Sequence, residues 1–432
     1  MKIKELENKD FGNELYSLVT RLYPICRSIT GDGVRESLQI ISEYIPIKIN
    51  EVASGTKVFD WTVPEEWNIK DAYIKNGKGE KIVDFKKLNL HVLNYSTPID
   101  EKMGLEKLKS HLFTIPESPE WVPYRTSYNN KNWGFCISHN QFTGLKEEEY
   151  EVKIESILQP GSLTYGEYFI KGNSTEEVLF TCHVCHPSLC NDNLSGIAIG
   201  VFLARELSRM KLKYSYRFLF IPATIGSITW LSLNQDKIKN IKYGMVLALL
   251  GDKNRFYYKK SRRGNNEIDR IVMRLLRNKY SDYTIEDFSP YGYDERQFCS
   301  PAFNLPVGRL SRSNHGEYPE YHTSADNLEF VAPQYLAESF EFLSSVIEEI
   351  ESGEKYLNLN PTCEPQLGKY GLYKKIGGET DIKDYQMALL WVLNLSDGEH
   401  SLKDIAEQTC MDNSIIQTAV EALVNVNLLK KM

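Results

Sequence analysis

The chain has 432 residues, 42% of them apolar and 25% charged, with a formal net charge of −7. That is the composition of a globular protein with room for two or three domains, and the acidic balance argues against nucleic acid as principal partner, because phosphate neutralisation needs a concentrated basic surface. No apolar run approaches the roughly 20 residues that span a bilayer, the opening MKIKELENKD lacks an apolar signal region, and the cysteines lack the density of a secreted disulfide scaffold, so the expected location is the cytoplasm.

Residues 11–45 read as two helices, the first carrying Leu15, Leu18, Val19 and Leu22 on one face, the second Leu38, Ile41 and Ile45. Between them lies Pro24-Ile25-Cys26-Arg27-Ser28-Ile29-Thr30-Gly31, either a plain interhelix loop or a cleft-lining loop whose Arg27 meets an anionic group. From 51 to 145 short β-prone runs alternate with Gly, Pro and Asn turns, and the stretch reads as a β-rich insertion. Its aromatics, among them Trp61, Trp67, Tyr124 and Tyr128, are expected mainly in the core of that small domain, with stacking on a substrate as the alternative. Residues 149–157 and 163–171 alternate around Gln159-Pro160-Gly161-Ser162 and read as a hairpin of edge strands.

Residues 178–196, VLFTCHVCHPSLCNDNLSG, start as an apolar strand and end in a polar loop that opens an apolar helix over 197–207. In open α/β sheets ligands sit beyond the carboxyl ends of strands. His183, His186 and Asp192 would stand there, two imidazoles and a carboxylate of the kind Zn²⁺ takes. The alternative makes them hydrogen-bonded loop histidines and a helix N-cap. Cys182, Cys185 and Cys190 lack a second cysteine pair to close a zinc tetrahedron and read as small buried residues.

Further strands at 216–221 and 245–250 end in Pro222-Ala223-Thr224 and Gly251-Asp252-Lys253, and alternation with helices at 228–234 and 267–278 implies a mainly parallel sheet. Three polar loops follow, around Tyr293-Asp294-Glu295-Arg296, Arg309 to His315, and Tyr321-His322 to Asp326, before a helix over 333–352 closes the domain. Residues 365–432 have the helix, turn, helix, strand pattern of a winged helix. Residues 381–432 hold eight acidic and four basic side chains, a balance of −4, and 414–424 holds no Lys or Arg. DNA binding is therefore not expected, and docking of a protein or intrachain packing is.

These pieces together resemble the zinc-dependent exopeptidase (metallo-aminopeptidase) superfamily, in a bacterial branch of aminopeptidase-like proteins without an assigned function, associated with polysaccharide synthesis. The residues that carry the resemblance are Cys26 to Gly31, Gly161-Ser162-Leu163-Thr164-Tyr165-Gly166-Glu167, His183-Val184-Cys185-His186-Pro187, Asn191-Asp192-Asn193-Leu194-Ser195-Gly196, Asp294 to Phe298, and Tyr321-His322-Thr323 with Asp326-Asn327. The resemblance implies an α/β fold with a mainly parallel mixed sheet of the zinc-exopeptidase (phosphorylase/hydrolase-like) type, residues 1–50 and 146–358, with a β-rich inserted domain, 51–145, and a C-terminal winged helix, 365–432. It implies one or two zinc ions held by His183, Asp192, Asp252 and His322, with His186 competing with His183. It also implies metal-activated water attacking a peptide-like bond in a small peptide or aminoacyl-type substrate, held by Arg27, Arg262, Arg263, Tyr293, Arg309, Arg312 and Tyr321. Two positions depart from the pattern. Cys185 stands where relatives hold the histidine with an aspartate, and Ala223 stands where they carry the glutamate base, so that Glu295 or Asp294 is the expected substitute. The alternative function is a catalytically weak metal-binding protein that recognises a ligand, its general base lost at Ala223, with the insert and winged helix as docking modules or a second copy of the chain as partner.

Overall fold

The computed structural model describes residues 9–128, 130–372 and 380–432. The chain divides into two compact units, one up to Ser345 and one from Val346.

The first unit is built on an eight-stranded mixed sheet in the order Lys48–Ala53, Ser162–Ile170, Ser215–Ile221, Glu177–His183, Ile241–Leu247, Val307–Ser311, Phe256–Lys259, Tyr283–Glu286. The four central strands, from Ser215–Ile221 to Val307–Ser311, are mutually parallel, and antiparallel pairs flank them on both sides. Every residue of Glu177–His183 and of Ser215–Ile221 is buried. Both faces of these strands are covered, which explains why their sequences are apolar runs rather than alternations. The helix Gly196–Leu207 is buried nearly all round. A Cβ on Gly196 would sit 2.4 Å from the Leu247 carbonyl oxygen, so glycine is what lets this helix meet the sheet so closely. Charges buried at the amino-terminal end of the central strand are matched: Arg217 makes a fork with Glu177 at 2.7 and 2.9 Å and also bonds Glu167. The carboxyl ends of the same strands, where His183, Ile221 and Leu247 stand, are left for the loops that follow.

The insertion's four-stranded antiparallel sheet, Lys81–Asp84, Glu66–Lys75, Glu149–Gln159, Ile99–Gly104, with two small strand pairs beside it, runs past the expected boundary at residue 145 because Glu149–Gln159 is its third strand. The expected hairpin across Gln159 to Ser162 does not form. Glu149–Gln159 pairs with Glu66–Lys75 and Ile99–Gly104, whereas Ser162–Ile170 pairs with Lys48–Ala53 and Ser215–Ile221. The turn between them passes the chain from one sheet to the other. Glu66 occupies the space beside it, its carboxylate oxygen 2.5 Å from where a Cβ of Gly161 would be, accepting from the Ser162 N–H at 2.8 Å and from Arg35 at 2.6 and 2.7 Å.

The second unit has a three-stranded antiparallel sheet, Asp397–Ser401, Lys355–Asn358, Leu429–Lys431, with helices Thr380–Leu395, Leu402–Thr409 and Asn413–Asn425. Ser401 and Asp404 form a capping box and Asp412 caps the last helix. Its central strand lies ahead of residue 365, in four residues too short to show a periodicity, and only pairing with two distant segments makes them a strand. Among the described residues no helix is long and apolar enough to cross a membrane.

Arg35, through its hydrogen bonds, holds the Glu66 carboxyl at about 2, below its ordinary 4.5. A depressed carboxyl pKa contributes stability above the unfolded value that is lost as pH falls towards the folded one. Glu66→Gln is therefore expected to lower the unfolding free energy by on the order of 1 kcal/mol at pH 7 and by progressively less as the pH falls below 4.5 towards 2, measured by urea denaturation at each pH.

Candidate metal centre and cleft

The strand Glu177–His183 delivers His183 to the end of the sheet, and the loop after it brings His186 and Asp192 back over that end. Asp192 is 0% exposed and does not cap the following helix, which has no side-chain cap. Its carboxylate instead faces three imidazoles. Oδ1 accepts from His183 Nε2 at 2.8 Å and from the Tyr293 hydroxyl at 3.1 Å, Oδ2 accepts from His322 Nε2 at 3.0 Å, and His186 Nε2 lies 4.0 Å from Oδ2. Burial alone would push this carboxyl up, but the His186 and His183 imidazoles, with the hydrogen bonds of His183 and His322, hold it well below the usual carboxylate range. Burial pushes His186 well below its ordinary value, so its ring is neutral at pH 7.

The loop that carries Asp192 is fastened from behind. Asp326 accepts the backbone N–H groups of Asn191 at 2.6 Å and of Asp192 at 2.9 Å. Asn193 donates to the Leu247 carbonyl at 2.9 Å and places its amide nitrogen 3.4 Å from His183 Nδ1. His322 is held through its own backbone, its carbonyl accepting from the Tyr124 N–H at 2.7 Å, while the Tyr124 ring meets His186 and His322 edge-on with centroids 5.1 and 5.0 Å away. An insertion residue thus braces two of the three imidazoles.

One donor atom each from His183, His186 and Asp192 lies within 4.8 Å of the others, the one such cluster of potential metal ligands among the described residues. Two nitrogens and a carboxylate oxygen, with His322 against the same carboxylate, suit a single zinc ion. Asp252 does not join them. Asn191 at 2.6 Å and Ser313 at 2.9 Å bond its Oδ2, and the Asn254 N–H bonds Oδ1 at 2.8 Å, so this carboxylate anchors loops beneath the centre.

The centre opens on a cleft of about 410 Å³ lined by His186, Ala223, Thr224, Tyr293, His315 and Tyr321, with Trp61 and Tyr128 from the insertion. Tyr321 stacks on His322 at 3.9 Å and its hydroxyl lies 3.3 Å from His315 Nδ1. Burial pushes His315 down to about 4, so it is neutral at pH 7. Of the expected substrate residues, Tyr293 and Tyr321 are here and the arginines are elsewhere. Arg27 is buried behind the His186 loop, donating to the His186 carbonyl at 3.0 Å; Arg309 faces Glu286 at 3.5 Å and Glu295 at 3.6 Å; Arg312 pairs with Glu338 at 3.0 Å. Arg262 and Arg263 are exposed, Arg262 against Asn304.

Among the described residues no Asp or Glu lines the cleft, and the wall position after the strand Ser215–Ile221 is Ala223. Glu295, the expected substitute base, is fully buried against Lys259 at 2.9 Å. Asp294 is bonded to the Ser227 hydroxyl at 2.7 Å, and burial pushes its carboxyl up to about 6. Both are held under the cleft by their own partners. Arg296 and His315, neither of them an expected site residue, line the cleft, and Asp326 orders the loop that carries Asp192. The signal for Arg296 was its place beside Tyr293; nothing local in sequence marked Asp326 as the partner of residues 191 and 192.

Residues 16–353 match the family described as "Domain of unknown function (DUF4910)", and residues 354–431 match the one described as "winged helix-turn-helix". The chain is 54% identical over 428 residues to a Clostridium acetobutylicum protein named "Putative polysaccharide biosynthesis protein with aminopeptidase-like domain", covering 99% of this chain and 98% of that one. It is also similar to the crystal structure of a "putative peptidase" from the same organism, with a TM-score of 0.84, 53% identity and coverage of 98% and 97%. A zinc aminopeptidase from Bacillus subtilis has the same fold at 13% identity, with a TM-score of 0.57 over 78% of this chain and 95% of that one.

Asp326→Ala removes the acceptor of two buried backbone N–H groups. It is expected to cost roughly 2–4 kcal/mol in denaturant unfolding. Amide exchange should accelerate at Asn191 and Asp192 while the strand Glu177–His183 keeps its protection, measured by hydrogen exchange.

Proposed function

The chain belongs to the family described as a domain of unknown function (DUF4910), with an aminopeptidase-like zinc-exopeptidase fold and a C-terminal winged helix, and on that premise we propose that it is a zinc-dependent amide hydrolase of the aminopeptidase type. The observation that carries this reading is the convergence of His183, His186 and His322 on one buried carboxylate at the rim of an open cleft.

His183, His186 and Asp192 would hold the ion, with His322 closing the set. Zn²⁺ there would supply a Lewis acid and lower the pKa of water. Around it, Tyr293 keeps its proton because burial and Asp192 raise its phenol, and so it orients the carboxylate by donating to it. Tyr321 packs His322 in place from the cleft side. Neutral His315, on the cleft wall, takes over proton transfer from the missing glutamate. Its low basicity makes turnover slow, because general-base efficiency falls with the pKa of the base.

The cleft without a carboxylate favours a second reading, a metal-binding protein that recognises an amide-bearing ligand with little turnover. The relative named for polysaccharide biosynthesis makes N-acylated amino sugars a substrate class to set beside aminoacyl amides.

Purified protein is expected to bind one zinc per chain by elemental analysis, with binding lost in Asp192→Asn and His183→Gln. It should hydrolyse at least one reporter from a panel of aminoacyl and N-acyl amino sugar amides. Ala223→Glu is expected to raise kcat by about 10²–10⁴, because it returns a carboxylate to a cleft that neither Glu295 nor Asp294 lines. Zinc binding with no hydrolysis by either form selects the recognition reading, and absence of zinc overturns both.

A further inference from the structure

Among the buried cations of the first unit, Arg27 donates to the backbone carbonyls of Leu22 and His186, and four others face carboxylates. Arg217 faces Glu177, Lys259 faces Glu295, Arg309 faces Glu286 and Glu295, and Arg312 faces Glu338. Arg296 lines the cleft, half-buried, with no hydrogen bond or ion pair among the described residues, and its Nε is fully buried without a partner. Asp294 lies within its electrostatic reach but bonds Ser227 and makes no ion pair with it.

A guanidinium carries five N–H donors, and leaving them unmatched in a half-buried site is costly unless something else meets them. Gly292, whose φ of +138° suits glycine, lines the cleft, and a Cβ there would come closest to Glu295 Oε1 and within 3.1 Å of both Lys259 Nζ and Arg309 Nη1. Lys259 and Arg309, under the wall that Arg296 shares, are paired with Glu295, and no carboxylate among the described residues lines the cleft itself to oppose Arg296. A free ammonium group would find no counter-charge on this wall. The aromatic faces of Trp61 and Tyr291, 51% and 69% exposed and lining the same cleft, offer apolar contact to the uncharged remainder of a ligand.

We propose that Arg296 is the specificity-determining residue of this cleft and that the ligand is an amide bearing an oxyanion group, carboxylate or phosphate, which the guanidinium binds through charge-assisted hydrogen bonds. The proposal rests on the reading of the cleft as the substrate site and goes beyond it by naming the charge of the substrate. Arg296 acts in binding, so its loss raises KM and leaves kcat nearly unchanged.

The test is calorimetric and independent of turnover. N-acetylglycine, a carboxylate, and its uncharged counterpart N-acetylglycinamide are titrated into the full chain, both zinc-loaded and stripped with chelator, at low ionic strength. The acid is expected to bind at least about tenfold more tightly than the amide, in both metal states, so that coordination to zinc does not explain the preference. The gap should fall below about threefold in Arg296→Gln and persist in part in Arg296→Lys, which keeps the charge without the fork, with unchanged zinc content and melting temperature. Competition by inorganic phosphate against acetate identifies which oxyanion the site prefers. Equal affinity for acid and amide, or a preference that survives Arg296→Gln, overturns the proposal. Anion preference without hydrolysis of any amide leaves it standing and removes the hydrolase reading alone.

Discussion

A carboxylate taken wholly out of water stays charged only where donors replace the lost hydration. Asp192 meets that condition with His183 and Tyr293 on one oxygen and His322 on the other. Each donor comes from a different part of the chain: a sheet strand, a short loop after residue 290, and a loop beyond residue 320. The backbone on the other side of the same residue is bonded to Asp326, so the carboxylate cannot withdraw from its donors without freeing a buried N–H. The close approach of Gly196 to Leu247 sets how near this loop lies to the sheet.

The insertion is part of that construction. Tyr124 fixes His322 by a backbone hydrogen bond and flanks two imidazoles with its ring, while its hydroxyl lies 2.9 Å from that of Tyr128. The line continues through Tyr95, edge-on to Tyr128, to Trp67, stacked on Tyr95 in the insertion core. The aromatic residues divide between two places: Trp67 packs in the core, as expected, and Trp61 lines the cleft half-exposed. Lys259, Arg309, Glu295 and Glu286 bond one another beneath the cleft wall, where sequence alone offered Arg309 as a substrate contact and Glu295 as a base.

Strands with both faces covered announce themselves as apolar runs, and this made the central strands and the helix after residue 196 legible. Glu149–Gln159 and Ser162–Ile170 were legible as strands too, but their partners were not, because alternation identifies a strand's faces and says nothing about the sheet to which its edges bond. The same limit applied at Lys355–Asn358, where four residues become a strand by pairing alone.

His183, His186 and Asp192 could be read together because a strand followed at once by a tight loop keeps them within ten positions of one another, and His322 entered through family resemblance. The sequence by itself thus determined the α/β class, the winged helix, and the chemical character of the centre. Tertiary structure alone decided that Asp252 anchors loops, that Glu295 is neutralised by Lys259, that Arg27, Arg309 and Arg312 face inward, and that Arg296 is left open to the cleft. The reason is physical: a side chain's type fixes what bond it can make, but whether that capacity is spent on a neighbour or remains for a ligand depends on distances between segments that no local pattern encodes.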